Sequence, residues 1–306
     1  MTQPLRASPA VPRLRLTDTH ASVLLLMPAI VLLLATNLYP TLNALWWSFY
    51  AYDASIPNAT PVFVGLANYQ QLLTETAFRN TARITLMFVL VAVTVELVLG
   101  IGLGLLIARG RWFVGPVRVA LLLPFMLAPV AAGVLWRTLF NVSWGPLDWM
   151  LAQVGVPPQE FLASPAQALG AVIVVEVWQQ VPPVAFVVAA GISSLPPELY
   201  RAAAIDGASA LQSFWRITLP LLRPVIFVIL LLRTMDAFKV YDIVAMLTQG
   251  GPANQTKVAS YLIWESGLRY LDLGYASAMS WAFLIVVFAI SLVLIRALDR
   301  ARRMRG

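Results

Sequence analysis

Apolar residues dominate six stretches of the chain, and most charged residues lie in the gaps between them. The stretches run roughly over 21–39, 84–108, 117–139, 168–190, 224–247 and 276–295. Each is close to the about 20 apolar residues that a helix needs to cross a hydrocarbon core of about 30 Å. Lipid offers the backbone no hydrogen-bond partners, so the helix is the element such runs predict. The pattern predicts an all-α integral membrane protein with six transmembrane helices, the membrane domain covering 21–296. Residues 1–20 carry Pro4, Pro9 and Pro12 without periodicity and read as a disordered basic arm. Residues 297–306 read as a basic tail.

The gaps alternate in charge. Arg6, Arg13 and Arg15 precede the first stretch, and Arg109, Arg111 and Arg118 separate the second from the third. Arg201, Arg216 and Arg223 lie between the fourth and fifth, and Arg296, Arg300, Arg302, Arg303 and Arg305 follow the sixth. The opposite gaps hold only Arg79, Lys257 and Arg269, with Arg83 at the very edge of the second stretch. Basic residues collect in cytoplasmic loops, so both termini are expected in the cytoplasm. One helix more or fewer would break this alternation.

Composition agrees. Hydrophobic residues make up 60% of 306 and charged residues 11%, against about 45–50% and about 25% in soluble domains. Mean hydropathy is +0.79. The net charge of +7 is a matter of topology here, not a sign of nucleic-acid binding. The first stretch follows a basic leader, but it is span-length, and no small-x-small cleavage site follows. Tyr39, Trp46, Trp47 and Tyr50 suit an interfacial aromatic belt, so this stretch reads as a retained helix. In the outer gaps, 66–81 has a helical pattern, and Trp144, Gly145, Pro146 and Trp149 suit short helices at the membrane surface.

Much chemistry is excluded. There is no cysteine, and His20 is the single histidine, which removes thiolate chemistry and most metal sites. No phosphate-cradling Gly-Lys-Ser/Thr, no HExxH and no GxSxG occurs. Gly100, Gly102 and Gly104 lie within an apolar stretch and point to close helix packing. The chain reads as a pathway without its own nucleotide motor.

The gap from 195 to 224 is the most informative. Ser193 or Ser194 is placed to cap a helix, and Pro196 or Pro197 suits its first turn. Leu199 and Ala203 share one face, and Gly207 permits a tight turn. A second short helix is expected from about 209 to 217, ended by Pro220. The plain alternative is an amphipathic connector lying on the membrane.

This segment resembles the signature loop of permease subunits of binding-protein-dependent ABC importers: Glu-Ala-Ala, three residues, Gly, nine residues, Ile-x-Leu-Pro. Ala202, Ala203, Gly207, Ile217, Leu219 and Pro220 stand at that spacing, and Arg201 stands where the family often has Glu. The runs starting at Arg233 (Arg-Thr-Met-Asp-Ala-Phe), Leu247 and Gly274 are similar to the maltose/trehalose-type carbohydrate-uptake branch. The resemblance covers roughly 20–300. It implies the type I ABC importer permease fold, with a cytoplasmic coupling loop over 196–220. Arg201, Ala202, Ala203, Asp206, Gly207, Ile217 and Pro220 would meet a separate ATPase there, the Gly207 backbone in tight contact. The implied function is a non-enzymatic subunit forming half of a sugar path in a bacterial inner membrane. The implied partners are a second permease subunit, two ATPase subunits and a periplasmic or lipid-anchored sugar-binding protein. The chain would hold no cofactor, ATP being used by the partner ATPase.

Charges within the fifth stretch are costly at membrane depth unless paired or facing a cavity. Arg233, Asp236, Lys239 and Asp242 recur at three-residue steps with alternating sign. They form either a self-neutralising ladder that fixes packing or part of a substrate path. The fourth stretch offers Glu176, Trp178, Gln179 and Gln180, then Pro182 and Pro183, which are expected to break the helix. Amide and charged groups bind sugar hydroxyls, and aromatic rings stack on sugar faces. The resemblance places Trp178, Arg233, Asp236 and Ala237 on the path. Gln179 and Lys239 complete the candidate set, and Glu96 reads as a packing partner. Two other functions stay open: an ABC permease for glycerol 3-phosphate-like solutes, which a more basic cavity would favour, and a secondary transporter. The latter would leave the 196–220 loop unexplained.

Overall fold

The computed structural model describes residues 18–108, 110 and 115–303. Most of the expected arm, the linker arginines Arg109 and Arg111, and the end of the tail lie outside these residues. The chain divides into two units, Met1–Trp46 and Trp47–Gly306.

The first unit holds α1 (Asp18–Leu33), a π turn (Leu34–Leu38) and all but the last residue of α2 (Tyr39–Trp47). Helix therefore begins at Asp18, inside the expected arm, and Leu25–Trp47 is long and apolar enough to cross a membrane. Pro40 does not end this helix. The π turn bonds Tyr39 N–H to the Leu34 carbonyl. That wider turn, just before Pro40, relieves the clash a proline ring makes with the preceding turn.

The second unit begins with a small outer seam. β1 (Tyr50–Ala51) pairs antiparallel with β2 (Val62–Phe63). The expected helix over 66–81 is two, α3 (Ala67–Thr74) and the start of α4 (Thr76–Ala108), parted by extended Glu75. Buried Asn68 on α3 donates to the carbonyls of Ser48 and Tyr50. At the other end of the chain, α14 (Leu273–Arg303) carries the sixth expected span and runs on through residue 303 of the tail. Its Gly274 lies against the Tyr50 carbonyl, where no Cβ fits.

α4 packs along α8 (Ala168–Ser193). A Cβ on Gly100 would come within 2.8 Å of Val184 Cβ, and one on Gly104 within 2.8 Å of the Ala185 carbonyl. These two glycines give the close packing expected of them, whereas Gly102 faces open space. α8 is unbroken at Pro182 and Pro183, contrary to expectation. The prolines remove the N–H groups that would bond the carbonyls of Trp178 and Gln179. Packing of Val184, Ala185 and Val188, all buried, carries the helix through that defect.

The third and fifth spans depart most from the sequence pattern. The third is α5 (Gly115–Met126) and α6 (Pro129–Leu139), bent by 99°. Pro129 forces the preceding Ala128 into an extended conformation, with ψ 138°. α7 (Pro146–Gln153) is the short helix expected after Gly145. The coupling segment gives α9 (Pro197–Ile205) and α10 (Ala210–Ser213). α10 continues through a second π turn (Phe214–Thr218) into α11 (Leu219–Phe238). Pro220 therefore does not end a helix; the π turn admits it as the first one admits Pro40. The whole rod, Ala210–Phe238, is 29 residues long. The fifth span ends at Phe238 rather than 247, and α12 (Asp242–Leu247) is separate. α13 (Ala259–Trp264) follows. α12 packs on α6, where Gly133 has Met246 Cβ 2.6 Å from the position of a Cβ.

Candidate functional site

Where the breaks after α5 and after α11 meet α8, they enclose a cavity of about 150 Å³. Its wall includes Pro129, Glu176, Gln179, Gln180, Arg233, Asp236 and Lys239, with Val240–Ile243. The broken helices explain the polar lining, because an interrupted helix leaves backbone groups to be satisfied from elsewhere. Gln179 does this for the α5–α6 bend, its Nε2 donating to the Leu127 carbonyl at 2.7 Å. Its Oε1 is buried and has no partner among the described residues.

A buried ion cluster backs the cavity. Arg233 Nε lies 2.8 Å from Glu96 Oε2 on α4, and Nη2 lies 2.8 Å from Glu176 Oε1 on α8. Glu96, Glu176 and Arg233 are all buried. Three spans are thereby tied at one point. Towards the opening, Arg233 Nη1 is 3.7 Å from Asp236 Oδ2, and Lys239 Nζ is 3.3 Å from Asp236 Oδ1. Three of the four charges of the expected ladder are in place, joined by two of its three contacts. Asp242 is not part of it, because the helix ends at Phe238 and Asp242 opens α12. The principal partners of Arg233 are on other helices, and Glu96 is one of its two buried counter-ions.

Of the expected path residues, Gln179, Arg233, Asp236 and Lys239 share the cavity wall. Trp178 and Ala237 are not among its lining residues. Trp178 packs edge-on against Trp136, with ring centroids 5.4 Å apart, and Ala237 is fully buried in the apolar core. The sequence reading missed Tyr241, a wall residue whose ring packs on Tyr261 and Trp264. The pairing of Glu96 and Glu176 with Arg233 had a signal: each carboxylate within an apolar stretch needs a cation, and Arg233 was the deepest one available.

The second candidate region is the turn between α9 and α10. Ser194 caps the end of α8 rather than the start of α9, whose N-cap is Pro196. Asp206 ends α9, Gly207 follows at φ +76°, and Ser209 and Gln212 form a reciprocal capping box. A Cβ on Gly207 would meet nothing within 4 Å in this chain. The glycine is required here by its left-handed backbone, not by crowding within the subunit. Ala203 is buried, while Arg201, Ala202 and Asp206 are exposed and Ile217 and Pro220 half-buried. Tyr200 Oη and Thr218 Oγ1, 3.0 Å apart, tie α9 to the base of α11. Ile205 (87% exposed), Leu211 and Trp215 present bare apolar surface around the turn. Among the described residues no group of three or more His, Cys, Asp or Glu side chains could hold a metal ion.

The sequence profile of the family described as binding-protein-dependent transport system inner membrane component matches residues 100–304. The chain is 33% identical over 294 residues to a trehalose/maltose transport system permease protein of Thermococcus litoralis, covering 95% of this chain and 97% of the relative. It is 33% identical over 279 residues to an sn-glycerol-3-phosphate transport system permease protein of Brucella abortus, covering 90% and 94%. In fold it is similar to a chain of a bacterial ABC transporter involved in import of the acidic polysaccharide alginate. There the TM-score is 0.79 at 23% identity, over 92% of this chain and 95% of that one.

Proposed function

The chain belongs to the family of inner membrane components of binding-protein-dependent transport systems, and from that premise we propose that it is one of two permease subunits of an ATP-driven sugar importer. The observation that carries the reading is the cavity formed where two interrupted spans meet α8. It offers amide, charged and aromatic groups together, the set that binds a polyhydroxylated solute. The likeness to a trehalose/maltose permease supports the substrate class. Both termini and the α9–α10 turn lie in the cytoplasm in this reading, supported by the basic residues flanking them.

Coupling follows from the Ala210–Phe238 rod. It begins at the turn that would meet the ATPase and ends two to five residues beyond Arg233 and Asp236. At 1.5 Å per residue it spans about 43 Å. A push on the turn is delivered to the cavity wall by one continuous helical element, whose weak points are the π turn and Pro224. The chain itself holds no cofactor, and ATP acts on the partner ATPase. A binding protein delivers the sugar from outside, and a second permease supplies the other half of the path.

The extracted protein should purify with a second, different permease and two ATPase copies, and liposomes containing that complex should take up sugar only with ATP on the ATPase side. Uptake by this chain alone, driven by an ion gradient without ATP, would sink the proposal and favour a secondary transporter.

A further inference from the structure

Every cation on the cavity wall is already committed to a carboxylate. Arg233 gives Nε and Nη2 to Glu96 and Glu176, and its Nη1 faces Asp236. Lys239 faces the other oxygen of the same Asp236. Asp242 adds a further carboxylate to the wall. With Glu96 behind Arg233, four carboxylates surround two cations. An arriving phosphate, sulfonate or carboxylate would meet no uncommitted cation on this wall: at the exposed end it would compete with Asp236 for Lys239, and at Arg233 it would have to displace a buried partner. That displacement leaves a buried carboxylate unpaired, which is strongly unfavourable.

Gln179 points the same way from independent chemistry. The side chain is 2% exposed. Its Nε2 donates to the Leu127 carbonyl, which fixes the amide orientation, because a flipped amide would set two carbonyl oxygens against each other. The unpartnered atom is therefore Oε1, an acceptor. A buried acceptor is satisfied by a donor. Hydroxyl and ammonium groups supply one, and a fully ionised phosphate or sulfonate group does not; a solute that carries both kinds of group is turned away by the committed ion pairs, not by Gln179.

We infer that this wall is a charge filter: it accepts solutes that bring hydrogen-bond donors and no negative charge, and it turns away phosphorylated, sulfonated and carboxylated ones. The inference rests on the reading that the cavity lies on the translocation path, and it adds to that reading the exclusion of anionic solutes, glycerol 3-phosphate included.

The absence of cysteine allows a test that needs no knowledge of the natural solute. Gln180→Cys places the only thiol of this subunit on the cavity wall. In the assembled complex it is treated with two thiosulfonate reagents of similar size, one bearing trimethylammonium and the other sulfonate. Modification of this chain is followed by mass. Thr60→Cys, in the exposed loop between β1 and β2, corrects for intrinsic reactivity. A negative, low-dielectric cleft concentrates cations and depletes anions. The cationic-to-anionic rate ratio should then be at least about tenfold higher at 180 than at 60. Asp236→Asn should lower the ratio and Lys239→Gln should raise it. Should Gln180→Cys fail to assemble, Tyr241→Cys gives the same readout from another wall position. Equal or faster modification by the sulfonate reagent overturns the inference, and so does failure of both reagents to reach the wall. Sugar uptake is scored separately: its absence would sink the sugar reading and leave the thiol result standing.

Discussion

Two arginine–glutamate contacts in this chain differ in almost everything but chemistry. Arg233 sits between Glu96 and Glu176 at 2.8 Å, all three buried. Arg201 lies 3.7 Å from Glu198 on α9, with side chains 74% and 69% exposed. The buried contact joins three helices far apart in sequence and leaves no cation free. The exposed one joins residues a single turn apart and leaves both groups open to a partner. The same asymmetry extends to their surroundings. Around Arg233 charge is turned inward, against the usual partition. Around Arg201 the inversion is the opposite, with Ile205, Leu211 and Trp215 facing outward. Contiguous exposed apolar surface marks interaction sites, whereas intramembrane charge marks solute or ion pathways. In the proposed function the two regions divide the work between holding a solute and meeting a motor.

Breaking the buried contact should have the largest effect. Arg233→Ala leaves two buried carboxylates unpaired, a loss of about 3–5 kcal/mol, and the extracted complex should unfold at a clearly lower temperature. Arg233→Met combined with Glu96→Gln and Glu176→Gln removes all three charges together. It should recover most of the thermal stability, because replacing a whole buried ion group by neutral residues is often tolerated. It should not recover solute uptake. Full uptake in the triple variant would reduce the cluster to a packing device.

The exposed region breaks differently, through its backbone. At φ +76° any side chain at 207 costs about 1–2 kcal/mol, but the Cβ itself meets nothing within the subunit. Gly207→Asn should be the mildest change, since Asn tolerates this conformation. Gly207→Ala and Gly207→Leu should strain the turn alike, so any difference between them reports on the partner. Gly207→Leu is expected to reach the membrane yet lose sugar-stimulated ATPase activity at least about tenfold more than Gly207→Ala. Equal coupling in the two would show that nothing closes on this position.

How far each region was legible in the sequence follows from the range of its interactions. The α9–Gly207–α10 turn was legible because its signals are local: prolines and a glycine within about twenty residues, although the capping box at Ser209 and Gln212 went unread. The spans were legible as apolar runs, and the glycines at 100, 102 and 104 announced close helix packing, though neither the partner helix nor the open position of Gly102 could be read from them. The cavity was legible only in part. Arg233, Asp236 and Lys239 declared themselves as charges in an apolar stretch. That Arg233 turns away from its own helix towards Glu96 and Glu176 is a long-range fact, separated by 137 and 57 residues. The helix-ending power of proline misled at Pro182, Pro183 and Pro220. Pro40, Pro182, Pro183 and Pro220 lie within continuous helix, through π turns or sustained packing, while the true break at Leu127–Ala128 precedes Pro129. Proline removes one hydrogen bond and one backbone conformation, and the neighbouring helices decide whether the chain bends.

The smallest expected effect on stability completes the contrast. Arg201 and Glu198 are exposed, one helical turn apart, with Nη1 and Oε1 3.7 Å from each other, so their attraction is screened and contributes under about 0.5 kcal/mol. Arg201→Gln should leave the unfolding temperature of the complex unchanged within error. Arg201→Glu places like charges on neighbouring turns and should cost only a few tenths of a kcal/mol more. Any larger consequence must therefore come from across an interface. Arg201 stands where an acidic residue would be the family habit, so an ATPase matched to this chain should present an acidic group to it. Arg201→Glu is then expected to weaken retention of the ATPase subunits during purification, and the reciprocal change of that acidic residue to Lys should restore it. Undiminished retention in Arg201→Glu would place Arg201 outside the contact and leave the apolar face of Ile205, Leu211 and Trp215 to hold the partner by itself.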